Sequence, residues 1–316
     1  MHFDNLQITI RERTCLDLMD LGLQVFRAHG PRFLLAFACG AIPLQLLNHL
    51  SFHHLAEIDY EERSLTSDEA WQLVGFVLCT AQSIFIQSQL AGVFATRYLG
   101  SVLFQDEPRM RSVLSQVGRS WFRLLWCQAL MRGVVIAGLL AWWSRVSNWA
   151  FSYLALLTCL IMFLRALRPF LNEVVLLEDN PLLATPSNQL TIARRSKRLH
   201  APSSMMLVGR WLCTSLIGSA LVVSVLGVFL FVSGVFFHDW IPSPQLVKFA
   251  VPLAMWGVAA YLTVVRFLTY LDLRIRDEGW EVELRMRAEA SRLLEATRAL
   301  PHARTVPGLP GLNRSS

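Results

Sequence analysis

Charge is what this chain has least of. Asp, Glu, Lys and Arg make up 16% of its 316 residues, where soluble domains carry about 25%. No stretch outside its apolar runs approaches the roughly 100 residues of an ordinary soluble catalytic domain. Six cysteines stand singly at Cys15, Cys39, Cys79, Cys127, Cys159 and Cys213. With no CxxC and no Cys/His cluster, they give neither a disulfide framework nor a zinc site. Also missing are an HExxH pair, a phosphate-cradling glycine loop, a nucleophile elbow and paired catalytic carboxylates. Nothing therefore nominates a catalytic, cofactor-binding or metal-binding residue, and the reading leans away from an enzyme. Residues 1–32 lack the continuous apolar core of a secretory signal, so the first apolar run is expected to be an uncleaved anchor.

Apolar sequence is abundant, at 54% of residues. It falls into six runs, at 32–50, 71–95, 122–143, 149–165, 211–237 and 249–269, each long enough for a hydrocarbon core of ~30 Å. The expected fold is an all-α polytopic membrane bundle of six spans. Its divisions are a cytosolic amphipathic segment at 1–31, the membrane domain at 32–271, a cytosolic helix at 272–300 and a disordered tail at 301–316. Of 29 Lys and Arg, 25 lie in segments on one side of these spans; only Arg63, Arg145 and Lys248 lie on the other, and Arg132 falls inside a span. The positive-inside rule puts both termini in the cytosol. The sequence pI near 9.3 then reflects attraction to anionic inner-leaflet lipid, and nucleic acid is not expected as a partner.

The chain also resembles itself. Leu21–Leu44, Ser112–Val135 and Ala193–Leu216 each place a basic amphipathic turn before a span. Arg97–Pro108, Pro169–Pro181 and Tyr270–Trp280 each leave a span through an apolar stretch into an acidic pair. The expectation is three repeats of a juxtamembrane helix plus a transmembrane hairpin, all in one orientation, unlike the inverted repeats of many transporters. The amphipathic turns either lie in the inner interface or pack beneath the bundle as a collar.

Within the spans, small residues mark close helix approaches, Ala36 and Gly40 in the first and Ser215, Ser219, Ala220 and Ser224 in the fifth. Pro43 and Pro252 are expected kinks. Trp71, Trp121, Trp126, Trp142, Trp143, Trp149 and Trp211 sit near span ends as an aromatic belt. Arg132 is the candidate intramembrane charge: it snorkels, bonds to Gln82, Gln87 or Gln89, or serves an anion or substrate. Every Asp and Glu is expected in a connection. His53 and His54 precede an acidic segment at 57–69, read as a solvated loop. Arg194, Arg195, Lys197 and Arg198 form the densest basic cluster, a candidate contact for lipid headgroups or an acidic partner. In the helix after the last span, Asp272/Arg276, Glu281/Arg285 and Glu283/Arg287 are i,i+4 ion pairs in the favourable order.

The segments PFLNEVVLLEDNPL, RRSKRLH and YLDLRIRDEGWEVEL resemble those of bacterial six-span proteins grouped with the membrane domain of glycerophosphoryl diester phosphodiesterases. The catalytic barrel of those phosphodiesterases has no counterpart here, so the resemblance implies a bacterial inner-membrane location and no hydrolytic activity. The leading expectation is a non-enzymatic scaffold or accessory factor acting at its cytosolic face on protein partners. The rivals are a transporter component using kinked spans and Arg132, and a membrane-embedded lipid-modifying enzyme.

Overall fold

The computed structural model describes residues 14–56, 67–102, 110–124, 126–127, 134–143, 149–178, 191–201, 204–238 and 244–299. Every regular element among them is helical. The chain divides into two units, Met1–Asp272 and Leu273–Ser316. The elements are α1 (Cys15–Phe52), a 3-10 turn (His53–Ala56), α2 (Ser67–Val102), α3 (Met110–Arg119), α4 (Trp121–Leu124) and α5 (Val134–Trp143). They continue with α6 (Trp149–Leu167), α7 (Leu171–Leu177), α8 (Ile192–His200), α9 (Ser204–Phe237) and α10 (Pro244–Ala299).

Four stretches are long and apolar enough to cross a membrane: Cys15–Leu55, Glu69–Val102, Ser204–Phe236 and Leu246–Arg276. Ser152–Ala166 with Leu171–Leu177 makes a fifth if that pair, bent by 61°, is one broken span. The break holds Pro169, which has no N–H to continue the ladder. Large apolar side chains such as Ile42, Leu160, Leu216, Val223 and Phe236 are exposed along these helices, a surface that calls for surrounding hydrocarbon. This is a multi-pass membrane protein. The run at 122–143 is represented by α4 and α5, while 128–133, including Arg132, lies outside the described residues. The acidic segment 57–66 and the tail 301–316 also lie outside them.

α1 starts at a capping box. Thr14 Oγ1 accepts from Asp17 N at 3.2 Å and Asp17 Oδ2 from Thr14 N at 3.0 Å, satisfying two orphan donors. The helix then runs for 38 residues, through Pro31 and Pro43, about 57 Å at 1.5 Å per residue. Its basic entry segment is therefore continuous with the span. The other two entries are separate short helices, α3 and α8, and both bury their apolar faces: Val113 and Val117 on α3, Ile192 and Leu199 on α8. Val113 belongs to the core of the bundle.

Two cores share α2. In one, Phe33, Phe37 and Ala41 of α1 and Ala91, Ala95 and Tyr98 of α2 meet Trp256, Ala260 and Val264 of α10. In the other, Phe76, Cys79 and Ile86 of α2 meet Phe52, Ala137 of α5, and Leu154 and Ile161 of α6. Trp256 stands edge-on to Phe37 at 6.0 Å and donates Nε1–H to Gln45 Oε1 at 2.9 Å. Asn48 and Gln87 exchange two hydrogen bonds of 2.9 Å between α1 and α2. The expected small-residue approach holds at Gly40, where an added Cβ would stand 2.9 Å from Ala91 Cα and collide with its carbonyl. In α9 the expected stripe does not form a seam: Ser219, Ala220 and Ser224 are exposed. Trp71, Trp121, Trp126, Trp142 and Trp143 are exposed, and Trp211 is half-buried.

Gly40→Ala should destabilise the protein by about 1–3 kcal/mol through overpacking. Gly257→Ala, with nothing within 4 Å of the new Cβ, should be neutral or stabilising. Thermal unfolding of both variants in one detergent checks the contrast.

Candidate functional site: an arginine-lined cavity among four helices

The site begins with an unfavourable burial. α7 reads LNEVVLL and buries Asn172, Glu173, Val174, Val175 and Leu176; Glu173 is 0% exposed. A carboxylate taken that far from water costs several kcal/mol unless it is paired. Arg266 of α10 pairs it, with Nε donating to Glu173 Oε1 at 2.7 Å. The same guanidinium donates to Gln89 Oε1 and, at 3.4 Å, to Thr96 Oγ1, both on α2. Asn172 Nδ2 donates to the Gln89 carbonyl at 2.7 Å. One arginine thus ties α2, α7 and α10 together inside the bundle.

Two more arginines repeat the device. Arg165, near the end of α6 and 4% exposed, donates to the α2 carbonyls of Phe85 and, at 2.7 Å, Ile86. Its guanidinium lies over the Phe85 ring, 4.4 Å from the centroid. Arg210 of α9 donates to Asp272 Oδ2 of α10 at 3.0 Å. These three arginines line one cavity of about 350 Å³ among α2, α6, α9 and α10. Ile84, Phe85, Met162, Val222, Met255 and Val258 are among its apolar lining. Four of the lining hydroxyls are spent within their own helices: Thr158 donates to Leu154 O, Thr214 to Arg210 O, Ser219 to Ser215 O and Thr263 to Ala259 O. The guanidinium groups, with Trp211 and Ser215, carry other donors that line it.

The sequence-nominated residues fall elsewhere. Of the basic cluster, Arg194, Lys197 and Arg198 are exposed on α8. Arg195 instead turns inward and grips Glu178 with two bonds of 2.7 and 3.0 Å; Glu178 also accepts from Tyr270 OH at 2.8 Å. His200, at the end of α8, stacks on Phe170 at 5.5 Å. Its Nδ1 lies 2.6 Å from the Ser196 carbonyl and its Nε2 lies 3.4 Å from Phe170 N. On α2, Gln87 is committed to Asn48 and Gln89 to Arg266 and Asn172. Of the three glutamines named for Arg132, only Gln82 keeps a buried Oε1 without a hydrogen-bond partner. His53 and His54 stand edge-on at 6.3 Å, and no group of three potential metal ligands occurs among the described residues.

Sequence reasoning missed Glu173, Arg165 and Arg266 as a buried system. It placed every carboxylate in a connection; Glu173 does lie between two expected spans, but that connection folds back into the bundle and buries it. The available signal was a lone Asn-Glu pair inside an otherwise apolar run, facing an arginine three residues short of a span's end.

Glu173→Leu should cost about 3–5 kcal/mol, because it leaves the Arg266 charge buried without its carboxylate. Glu173→Leu combined with Arg266→Met should recover much of that loss. Unfolding midpoints of the two singles and the double in detergent give the coupling.

No known protein-family model matches this chain, and neither the curated proteins nor the solved structures contain a match to it.

Proposed function

We propose that this chain is a non-catalytic accessory or scaffold protein of a bacterial inner membrane, with both termini cytosolic. In this reading it crosses the bilayer six times as three repeated units, and the arginine-rich end is its cytosolic working face. The observation that carries the reading is the mounting of α8. Arg195–Glu178–Tyr270 and the His200–Phe170 stack hold one side of that helix. Arg194, Lys197 and Arg198 stand exposed on the other. A basic surface fixed in advance pays little ordering entropy when an acidic partner or anionic headgroup docks. The repeat is supported by α3 and α8, two short amphipathic helices each preceding a long apolar segment. Arg132 in this reading snorkels to the same face.

A transporter component is the second reading, and the cavity among α2, α6, α9 and α10 is what favours it. The two readings respond differently to substitution. For a scaffold, replacing Arg194, Lys197 and Arg198 together with Gln should abolish recovery of a defined partner after crosslinking in intact membranes, while Arg132→Leu leaves it unchanged. Unimpaired partner recovery from the triple variant would overturn the scaffold reading. Reporter fusions at both termini test the cytosolic placement in the same strain.

A further inference from the structure

Two of the cysteines meet across helices. α1 and α9 both run antiparallel to α10, and their contacts with it set a common level. On α1, an added Cβ at Gly22 would stand 3.1 Å from Val265 Cγ2, and Phe37 meets Trp256 further along. Tyr261 OH also donates to the Met19 carbonyl at 3.0 Å. On α9, Arg210 donates to Asp272 Oδ2 at 3.0 Å, and an added Cβ at Gly218 would stand 2.8 Å from Leu262 Cδ1. Counted from Gly22/Val265 and from Arg210/Asp272, Cys15 is level with Asp272 and Cys213 with Thr269, a difference of about one helical turn. α1 and α9 also touch directly. The Cys15 and Cys213 side chains lie within hydrogen-bonding reach of each other.

Both thiols are half-buried, so each keeps accessible surface. Cys15 opens α1 between exposed Thr14 and Leu16, and Cys213 lies near the start of the apolar run 211–237. Other cysteines are placed differently: Cys79 sits in the core shared with α5 and α6, while Cys39 and Cys159 are exposed along α1 and α6. α9 is also the least embedded long helix, with 6% of its most apolar window buried against 28% for α1 and 50% for α2. On either side of Cys213 it contributes Trp211 and Thr214 to the wall of the cavity. A covalent tie at Cys213 fixes that wall to α1.

We infer that Cys15 and Cys213 form a reversible disulfide that ties α9 to α1, made by exchange with a low-molecular-weight disulfide. The thiolate of one cysteine attacks a sulfur of the small disulfide, whose other half leaves as a thiolate. The second cysteine then attacks the protein sulfur of that mixed disulfide and expels the remaining half. In sum, one S–S bond is broken and one is made. The cysteine pair is oxidised, the small disulfide is reduced, and the two cysteine protons end on the two released thiols. This site rests on neither the scaffold nor the transporter reading.

The full chain in mild detergent, treated with oxidised glutathione, alkylated and digested without reduction, tests this by mass spectrometry. Peptides joined through Cys15 and Cys213 should exceed every other cysteine linkage about tenfold, because the pair is already held together. Dithiothreitol should abolish the link, as should Cys15→Ser or Cys213→Ser, while Cys159→Ser leaves it. Amide hydrogen exchange over residues 204–216 should slow about tenfold on oxidation and stay unchanged in Cys213→Ser given the same oxidant. Linkages confined to other cysteines or between two chains would overturn the inference. So would both thiols remaining open to alkylation after the oxidant, or a Cys15–Cys213 link that leaves exchange in α9 unaltered.

Discussion

Burial of Glu173 is the constraint from which the arrangement of one end of the bundle follows. Once α7 folds back between the long helices, its carboxylate must meet a cation, and Arg266 supplies one at 2.7 Å. That pairing sets the register of α10 against α7. Because the guanidinium also bonds Gln89 and Thr96, it sets α2 as well. Breaking such a buried pair costs more than forming it gains, so its main effect is to make one packing of these helices far better than any slipped alternative.

α2 is the shared wall of the structure. One face packs on α1 and α10 through small residues and aromatics, the other on α5 and α6. Between those faces it offers polar groups to three different partners: Gln87 to Asn48, Gln89 to Arg266, and the carbonyls of Phe85 and Ile86 to Arg165. Hydrogen bonds of this kind replace part of the hydrophobic driving force that helices in lipid lack. The cost is imperfect packing beside them. Bulky guanidinium groups and the loosely covered α9 leave the cavity where α2, α6, α9 and α10 would otherwise close.

The short helices α3 and α8 show how the arginine end is finished. Each buries an apolar face and is tied by an arginine: Arg97 of α2 donates to Gln116 of α3 at 2.7 Å and also to the Leu176 carbonyl, and Arg195 of α8 grips Glu178. Val113 and Val117 of α3 and Ile192 and Leu199 of α8 are the side chains buried in this way. In these elements Arg97 and Arg195 act as internal clamps, while Arg111 and Arg119 of α3 and Arg194, Lys197 and Arg198 of α8 are exposed.

The sequence by itself determined that the chain is helical, apolar and multi-pass, because helix periodicity and run length are local properties that a bilayer selects directly. It also made the close approach at Gly40 legible, since a small residue on an apolar helix has few other reasons to stand there. It did not separate clamping arginines from exposed ones: Arg195 and Arg194 are neighbours in sequence and face opposite environments. Nor did it reveal the return of α7 into the bundle, on which Glu173, Arg266 and the cavity all depend. Those features were decided by tertiary structure, because the cost of burying a charge is set by which partner the fold brings across from another helix, and local pattern carries no record of that partner.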